Sequence, residues 1–190
     1  MSAARGEPDS IAAGPIATVL EALTARLSAP PDEDLPPLDA PALDSPALDA
    51  KWLLAHVTAL DPSALATTAA RVVTVEEASR LAALVEERRR GVPLAHLLGE
   101  WEFWSLPLFV TPDVLVPRPE TELLVEWGSA LFADHPAPRI ADLGTGSGCI
   151  AIALACELPR ATVVAVDLSA AALAVAARNI ARHDLILNCL

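Results

Sequence analysis

Positive charge is scarce in this sequence: thirteen Lys and Arg stand against twenty-five Asp and Glu in 190 residues, for a net charge of −12. That sign repels a phosphate backbone, so nucleic acid is excluded as a primary partner. Long apolar runs are also missing. Hydrophobic residues make up 53% of the chain and mean hydropathy is +0.42, yet runs such as 170–177 fall well short of the roughly 18 residues that span a bilayer, so a soluble chain with no membrane partner is expected. No secretory signal is visible, because Glu7, Asp9, Gly14 and Pro15 interrupt any apolar stretch near the start, and a cytoplasmic location is expected. Cysteine is limited to Cys149, Cys156 and Cys189, an odd number without C-x-x-C spacing. This excludes a disulfide frame and a zinc site, and reduced, buried thiols are expected. Histidine is limited to His56, His96, His135 and His183, whose spacing suits neither a metal site nor a catalytic pair, so no metal is expected.

At this length the chain holds one full domain, or a small one beside part of another. Ile16, Val19, Leu20, Leu23 and Leu27 share one helical face, with Pro15 suited to a first turn. Residues 29–50 contain six acids, six prolines and no base. Proline removes backbone donors and the acids repel one another, so a solvated linker, an insertion over 29–48, is expected. Ser45 and Pro46 read as an N-cap and first helical residue, with Leu48, Trp52 and Ala55 as the apolar stripe of the helix that follows. Asp61-Pro62 repeats the start signal. Thr74 and Glu77 form a capping box, and Val75, Ala78, Leu81, Leu84 and Val85 keep helical spacing until Gly91 supplies a left-handed cap. Arg88, Arg89 and Arg90 close that helix, where the dipole favours cations. A small helical domain over 1–91 is predicted.

The period then changes. Trp101 and Phe103 alternate with Glu102 and Trp104, and Leu106, Leu108 and Val110 follow a proline-containing corner, which predicts a two-stranded ribbon within a connector over 92–118. A short strand is expected over 114–116. Leu123, Leu124, Trp127 and Leu131 predict an amphipathic helix ending before Pro136 and Pro138, and the tryptophans are expected to pack in the core or at a domain interface. From 139 onward the order is strand, glycine-rich loop, helix, strand, alanine-rich helix, a parallel sheet under construction within 119–190. The expected fold class is therefore α/β, a helical N-terminal domain joined by a β-ribbon to an incomplete Rossmann-like domain. The tail 185–190 reads as a shortened third strand or an out-of-frame ending.

The most informative motif is Asp142-Leu143-Gly144-Thr145-Gly146-Ser147-Gly148, placed after a strand and opening a helix, with Asp167 ending the next strand. Glycines at alternate positions remove the Cβ atoms that would hold a ligand off the backbone, and the later carboxylate can accept both ribose hydroxyls of a nucleoside cofactor. A nicotinamide site prefers G-x-G-x-x-G with a pyrophosphate at the helix N-terminus. Here the third glycine position is Cys149, which favours S-adenosylmethionine, a cofactor without a pyrophosphate, over a dinucleotide.

With the segments from Pro93 through Leu108 (PLAHLLGEWEFWSLPL) and from Val116 through Glu122 (VPRPETE) added, the sequence resembles the release factor glutamine methyltransferase family. The resemblance runs from about Asp49 to about Asp184. It implies a cytoplasmic, monomeric enzyme that transfers a methyl group from S-adenosylmethionine to the glutamine of the Gly-Gly-Gln tripeptide in peptide chain release factors. It places Gly144, Thr145, Gly146, Ser147 and Gly148 along the cofactor and Asp167 at the ribose. Asp142 supports the loop or the cofactor's amino group, or is only a neighbour of the helix cap, and Phe103, Arg118, Glu120 and Thr121 lie near the pocket or serve the fold.

The family's Asn-Pro-Pro-Tyr signature does not occur in the 190 residues. An amide nitrogen is a weak nucleophile because its lone pair is delocalised, so it must be held in line with the S-methyl bond, and nothing present replaces the groups that hold it. An inactive fragment is therefore expected. The alternatives are a noncatalytic partner-binding module, or a methyltransferase acting on another protein glutamine or an adenine amino group.

Overall fold

The computed structural model describes residues 11–30, 45–186 and 188–189, which fall into two compact units, Met1–Leu98 and Gly99–Leu190. The acidic, proline-rich stretch read as a linker lies outside the described residues from 31 to 44.

In the first unit, α1 (Ile16–Ser28), α2 (Pro46–Thr58) and α3 (Val75–Arg89) pack around Ile16, Val19, Leu23, Leu53, Leu54, Leu81 and Val85, and a short α4 (Leu94–Leu98) follows. Two short strands, β1 (Gly14–Pro15) and β2 (Val72–Val73), pair antiparallel at the entrance to α1. Pro15 thus precedes the helix rather than occupying its first turn. The local start signals act as their chemistry demands. Ser45 Oγ accepts the Leu48 amide at 3.3 Å, the Asp61 carboxylate accepts the Ser63 amide at 2.7 Å, and Thr74 and Glu77 form both halves of the capping box. Gly91 (φ +90°) ends α3 as a Schellman cap, its amide donating to Arg88 O while the Val92 amide donates to Glu87 O.

The arginine triplet is structural. Arg88 Nε donates to Asp49 Oδ2 at 2.8 Å with both side chains nearly buried, joining α3 to α2. Arg89 Nη2 donates to Pro30 O at 3.0 Å beyond the end of α1, and Arg90 pairs with Glu87. Of the stripe read for α2, Ala55 is buried, while Leu48 and Trp52 are exposed and Asp49, Ala50, Leu53, Leu54 and Val57 face inward instead. Neighbouring helices, rather than the helix's own pattern, select the buried face when an apolar residue stands on both sides of it.

The second unit begins with the ribbon, β3 (Glu100–Phe103) and β4 (Leu106–Phe109), in antiparallel register. Its corner is Trp104-Ser105, both with positive φ (53° and 56°), the geometry of a type I′ hairpin. Pro107 is not at the corner. It pairs with Glu102 inside the ribbon, at a position where a two-residue hairpin makes no ladder bond and the missing N–H is harmless. Because a side chain disfavours this backbone, the turn is held from outside: the Trp104 amide donates to Glu122 Oε1 at 2.8 Å and its indole Nε1 to Glu157 Oε1 at 2.7 Å.

No strand forms over 114–116. Thr111, Asp113 and Val114 make a turn, and Pro112, Pro117 and Pro119 withhold the amides that a ladder needs. A 3-10 turn at Pro119–Thr121 leads into α5 (Glu122–Phe132). Then β5 (Arg139–Leu143), α6 (Cys149–Glu157), β6 (Thr162–Val166), α7 (Ala170–Arg182) and β7 (Asn188–Cys189) build a parallel sheet of order β5-β6-β7. Of the tail, Asn188–Cys189 pairs with β6 as the third strand of the sheet. Phe103, Leu108, Val125, Ile152, Leu154 and Ile180 form the core between ribbon and helices, and full burial of each such side chain contributes about 1.5–3 kcal/mol.

The face of α5 differs from the sequence reading. Val125 is its buried residue, whereas Leu123, Leu124, Trp127 (68%) and Leu131 (76%) are exposed. Trp127 is thus not a core tryptophan. Close approach to α6 explains the choice: Gly128 lets α5 come so near that a Cβ there would sit 2.9 Å from Leu154 Cδ2. Of the cysteines, Cys149 is buried, Cys189 partly buried and Cys156 exposed, all as thiols. Burial was therefore expected too broadly. Among the described residues no helix is long and apolar enough to cross a membrane.

Candidate functional site

The loop from Gly144 to Gly148 leaves the carboxyl end of β5 and enters α6, and Asp167 follows the carboxyl end of the adjacent β6. In open parallel sheets the ends of neighbouring strands form the ligand crevice. The loop is strapped to that end by its own backbone, with the Gly144 and Thr145 amides both donating to Val166 O at 2.8 and 2.9 Å and the Gly148 amide donating to Thr145 O at 2.8 Å.

Asp142 serves the loop and the start of α6 together. Its Oδ2 accepts the Thr145 hydroxyl at 2.6 Å and the Ala151 amide at 3.3 Å, so one buried carboxylate supports the loop and satisfies the first turn of α6. Gly148, the N-cap of α6, brings no side chain to that task.

The three glycines do different work. All have positive φ, at 76°, 54° and 83° for Gly144, Gly146 and Gly148. A Cβ on Gly144 or Gly146 would meet nothing within 4 Å, whereas one on Gly148 would lie 3.2 Å from Ile152 Cδ1 and 3.3 Å from Ala176 Cβ. Gly148 is therefore bare so that α6 and α7 can pack, while Gly144 and Gly146 present bare backbone to open space.

Beside that space, Asp167 Oδ2 accepts the Gly146 amide at 2.9 Å and Oδ1 accepts the Ser169 amide at 2.9 Å. These backbone donors hold its carboxyl below the usual aspartate range, and each oxygen keeps lone-pair capacity for a further donor. Thr145 and Ser147 are buried, so their side chains shape the loop from beneath. Among the described residues no nitrogen or oxygen partner meets the Ser147 hydroxyl, whose neighbour is the Cys149 thiol. Burial pushes the neighbouring Cys149 thiol up, which leaves it a packing group rather than a nucleophile.

The outer candidates are dispersed. Phe103 is 2% exposed in the hydrophobic core. Arg118 and Glu120 are exposed and Thr121 is partly buried around the 3-10 turn, and among the described residues none of these three side chains bonds to the loop. No group of three or more His, Cys, Asp or Glu among the described residues could hold a metal ion.

Two contributions escaped the sequence reading. Glu122 clamps the hairpin turn through the Trp104 amide. Asn179, fully buried on α7, reaches both the ribbon and the loop. The available signal was a single carboxamide within an otherwise apolar, alanine-rich helix face.

Residues 38–99 match the family described as PrmC N-terminal domain and residues 120–189 the Methyltransferase small domain. The release factor glutamine methyltransferase of Escherichia coli is 48% identical over 139 residues, which cover 73% of this chain and 50% of the relative. That of Bordetella pertussis is 48% identical over 141 residues, covering 73% and 47%, and that of Coxiella burnetii 54% identical over 109 residues, covering 57% and 39%. The chain thus spans about half the length of the curated relatives it matches. Likeness to solved structures is slight: the N-terminal domain of human METTL16 in complex with SAH superposes with a TM-score of 0.41 at 18% identity, covering 72% of this chain and 54% of that one. The chain thus carries, in order, segments similar to the PrmC N-terminal domain and the Methyltransferase small domain, and is similar to release factor glutamine methyltransferases over about half of their length.

Proposed function

We propose that these residues are the cofactor-binding portion of a protein-glutamine methyltransferase whose substrate is the Gly-Gly-Gln glutamine of peptide chain release factors. The observation that carries the cofactor reading is the pair Gly144 and Gly146, whose missing Cβ atoms open onto free space beside an ionised Asp167. In this reading the backbone of Gly144 and Gly146 lies against S-adenosylmethionine, which when bound supplies an electrophilic methyl group. Asp167 accepts its ribose hydroxyls, and Asp142 holds the loop in shape from below through Thr145 and Ala151. A dinucleotide fits less well, because Cys149 stands where a third glycine would admit a pyrophosphate.

Release factor specificity rests on the names of the relatives and on the ribbon and Arg118-Pro119-Glu120-Thr121-Glu122 segments. Without an Asn-Pro-Pro-Tyr among the 190 residues to orient the amide, the chain alone does not transfer the methyl group. The test is NMR titration of the chain with millimolar S-adenosylhomocysteine and, separately, NAD. Shifts at Gly144, Gly146 and Asp167 with the first ligand alone support the reading. Shifts with NAD alone would replace it by a dinucleotide site, and methyl transfer to a release factor by this chain would overturn its inactivity.

A further inference from the structure

Asn179 is fully buried on α7 and uses its whole carboxamide. Oδ1 accepts the Phe109 amide at 2.7 Å, and Nδ2 donates to Phe109 O at 2.9 Å and to Ser147 O at 2.8 Å. The first two bonds place a side chain where a third strand would pair: in the hairpin register Phe109 directs its N–H and C=O away from β3, and the carboxamide supplies the complementary acceptor and donor. The remaining hydrogen reaches the glycine loop. At the C-cap of α7, His183 Nε2 lies 3.0 Å from Pro107 O, and Arg178 and Arg182 stack on the Phe109 ring at 4.5 and 4.6 Å. The helix therefore grips the outer edge of β4 along two turns, and Asn179 is the residue in this grip that also bonds to the loop.

We infer that Asn179 is the positioning residue of the glycine loop: it fixes the Ser147 carbonyl against the ribbon and so presets the backbone that Gly144 and Gly146 offer to a cofactor. The cofactor half of this inference rests on the proposed function; the positioning half rests on the hydrogen bonds alone. The carboxamide satisfies three backbone groups, and loss of its donors leaves two carbonyls without their partner in a water-poor site. Apolar side chains of similar size would fill the volume and leave the loop unanchored. That separates positioning from packing.

The experiment is amide hydrogen exchange by NMR on the 190-residue chain, as wild type, Asn179→Asp and Asn179→Ala. Asp is isosteric and keeps the acceptor for Phe109 while deleting both donor bonds. The expected result is that Gly146, Gly148 and Phe109 amides exchange about ten-fold faster in both variants while mid-strand amides of β5 and β6 change far less. Acceleration by one common factor throughout the unit would reduce Asn179 to a packing residue and overturn the inference.

A wild-type measurement decides the matter if the variants do not fold: the Asn179 carboxamide protons should exchange about ten-fold slower than those of an asparagine in an unstructured peptide, and unprotected protons would overturn it. Titration with S-adenosylhomocysteine separates the two halves. Binding that weakens about ten-fold in Asn179→Asp supports both. No response to that ligand in the wild type, with loop-specific acceleration intact, removes the cofactor reading and leaves the positioning role standing.

Discussion

Alanine placed at Gly148 should destabilise the second unit more than alanine at Gly144 or Gly146, although the three share one loop and one backbone conformation. A non-glycine residue in the left-handed region costs about 1–2 kcal/mol at each position. At Gly144 and Gly146 nothing is added to that, since their Cβ positions are empty to 4 Å. At Gly148 the new methyl would stand 3.2 Å from Ile152 Cδ1, 3.3 Å from Ala176 Cβ and 3.4 Å from Ala176 Cα. The last of these is backbone and cannot rotate away. Overpacking of a close-packed interior adds about 1–3 kcal/mol, so Gly148→Ala should cost about 2–5 kcal/mol, a large share of the stability of a small domain.

Urea unfolding followed by tryptophan fluorescence reads this in a Trp52→Phe background, because Trp101, Trp104 and Trp127 lie in the second unit and Trp52 in the first. With a urea slope of about 2 kcal/mol per molar, the Gly148 variant should lose about 1–2.5 M in midpoint and the other two about 0.5–1 M. Ligand titration should invert the order, with Gly144→Ala and Gly146→Ala weakening S-adenosylhomocysteine binding beyond their effect on stability. Equal destabilisation by all three variants would refute the division of labour among these glycines.

Three further outcomes are expected. Arg88→Ala should destabilise the helical unit by about 3–5 kcal/mol, because it leaves Asp49 nearly buried without its ion partner, whereas replacing both residues with apolar ones of similar volume should be far milder by thermal denaturation. Glu77→Gln should cost about 1 kcal/mol by weakening the capping box and the Arg71 contact. The pH dependence has a definite sign: the Arg71 side chain and the Thr74 amide hold the Glu77 carboxyl below its ordinary value. Its contribution is therefore present above the unfolded-state pKa and lost as pH falls through the lower folded value, an acid limb that should shrink in Glu77→Gln when midpoints are compared across acidic pH. Trp127→Lys should shift stability by no more than about 0.5 kcal/mol, since the side chain is exposed on α5, and a larger loss on thermal melting would mean that this face is packed.

The sequence by itself determined what local chemistry controls. The helix starts at Ser45, Asp61 and Thr74 and the left-handed stop at Gly91 depend on hydrogen bonds or backbone preferences within a few residues of one another, so they are legible without knowing the neighbours. The places of Gly144, Gly146, Gly148 and Asp167 were legible from the element order, since a loop and a carboxylate that follow successive parallel strands come to the same end of the sheet. What only the tertiary structure decided is which surface each element turns inward. The inward face of α2 and the exposed leucines of α5 follow from the helices beside them, and the close approach at Gly128 selects Val125 over Leu124. The tertiary structure also divided the glycines between open space and helix packing, because a missing Cβ has meaning only against the atoms it would meet. Asn179 belongs to the same class: its partners are separated from it by 70 and 32 residues in sequence, and a carboxamide reveals its role only when the backbone groups it satisfies have been brought within reach.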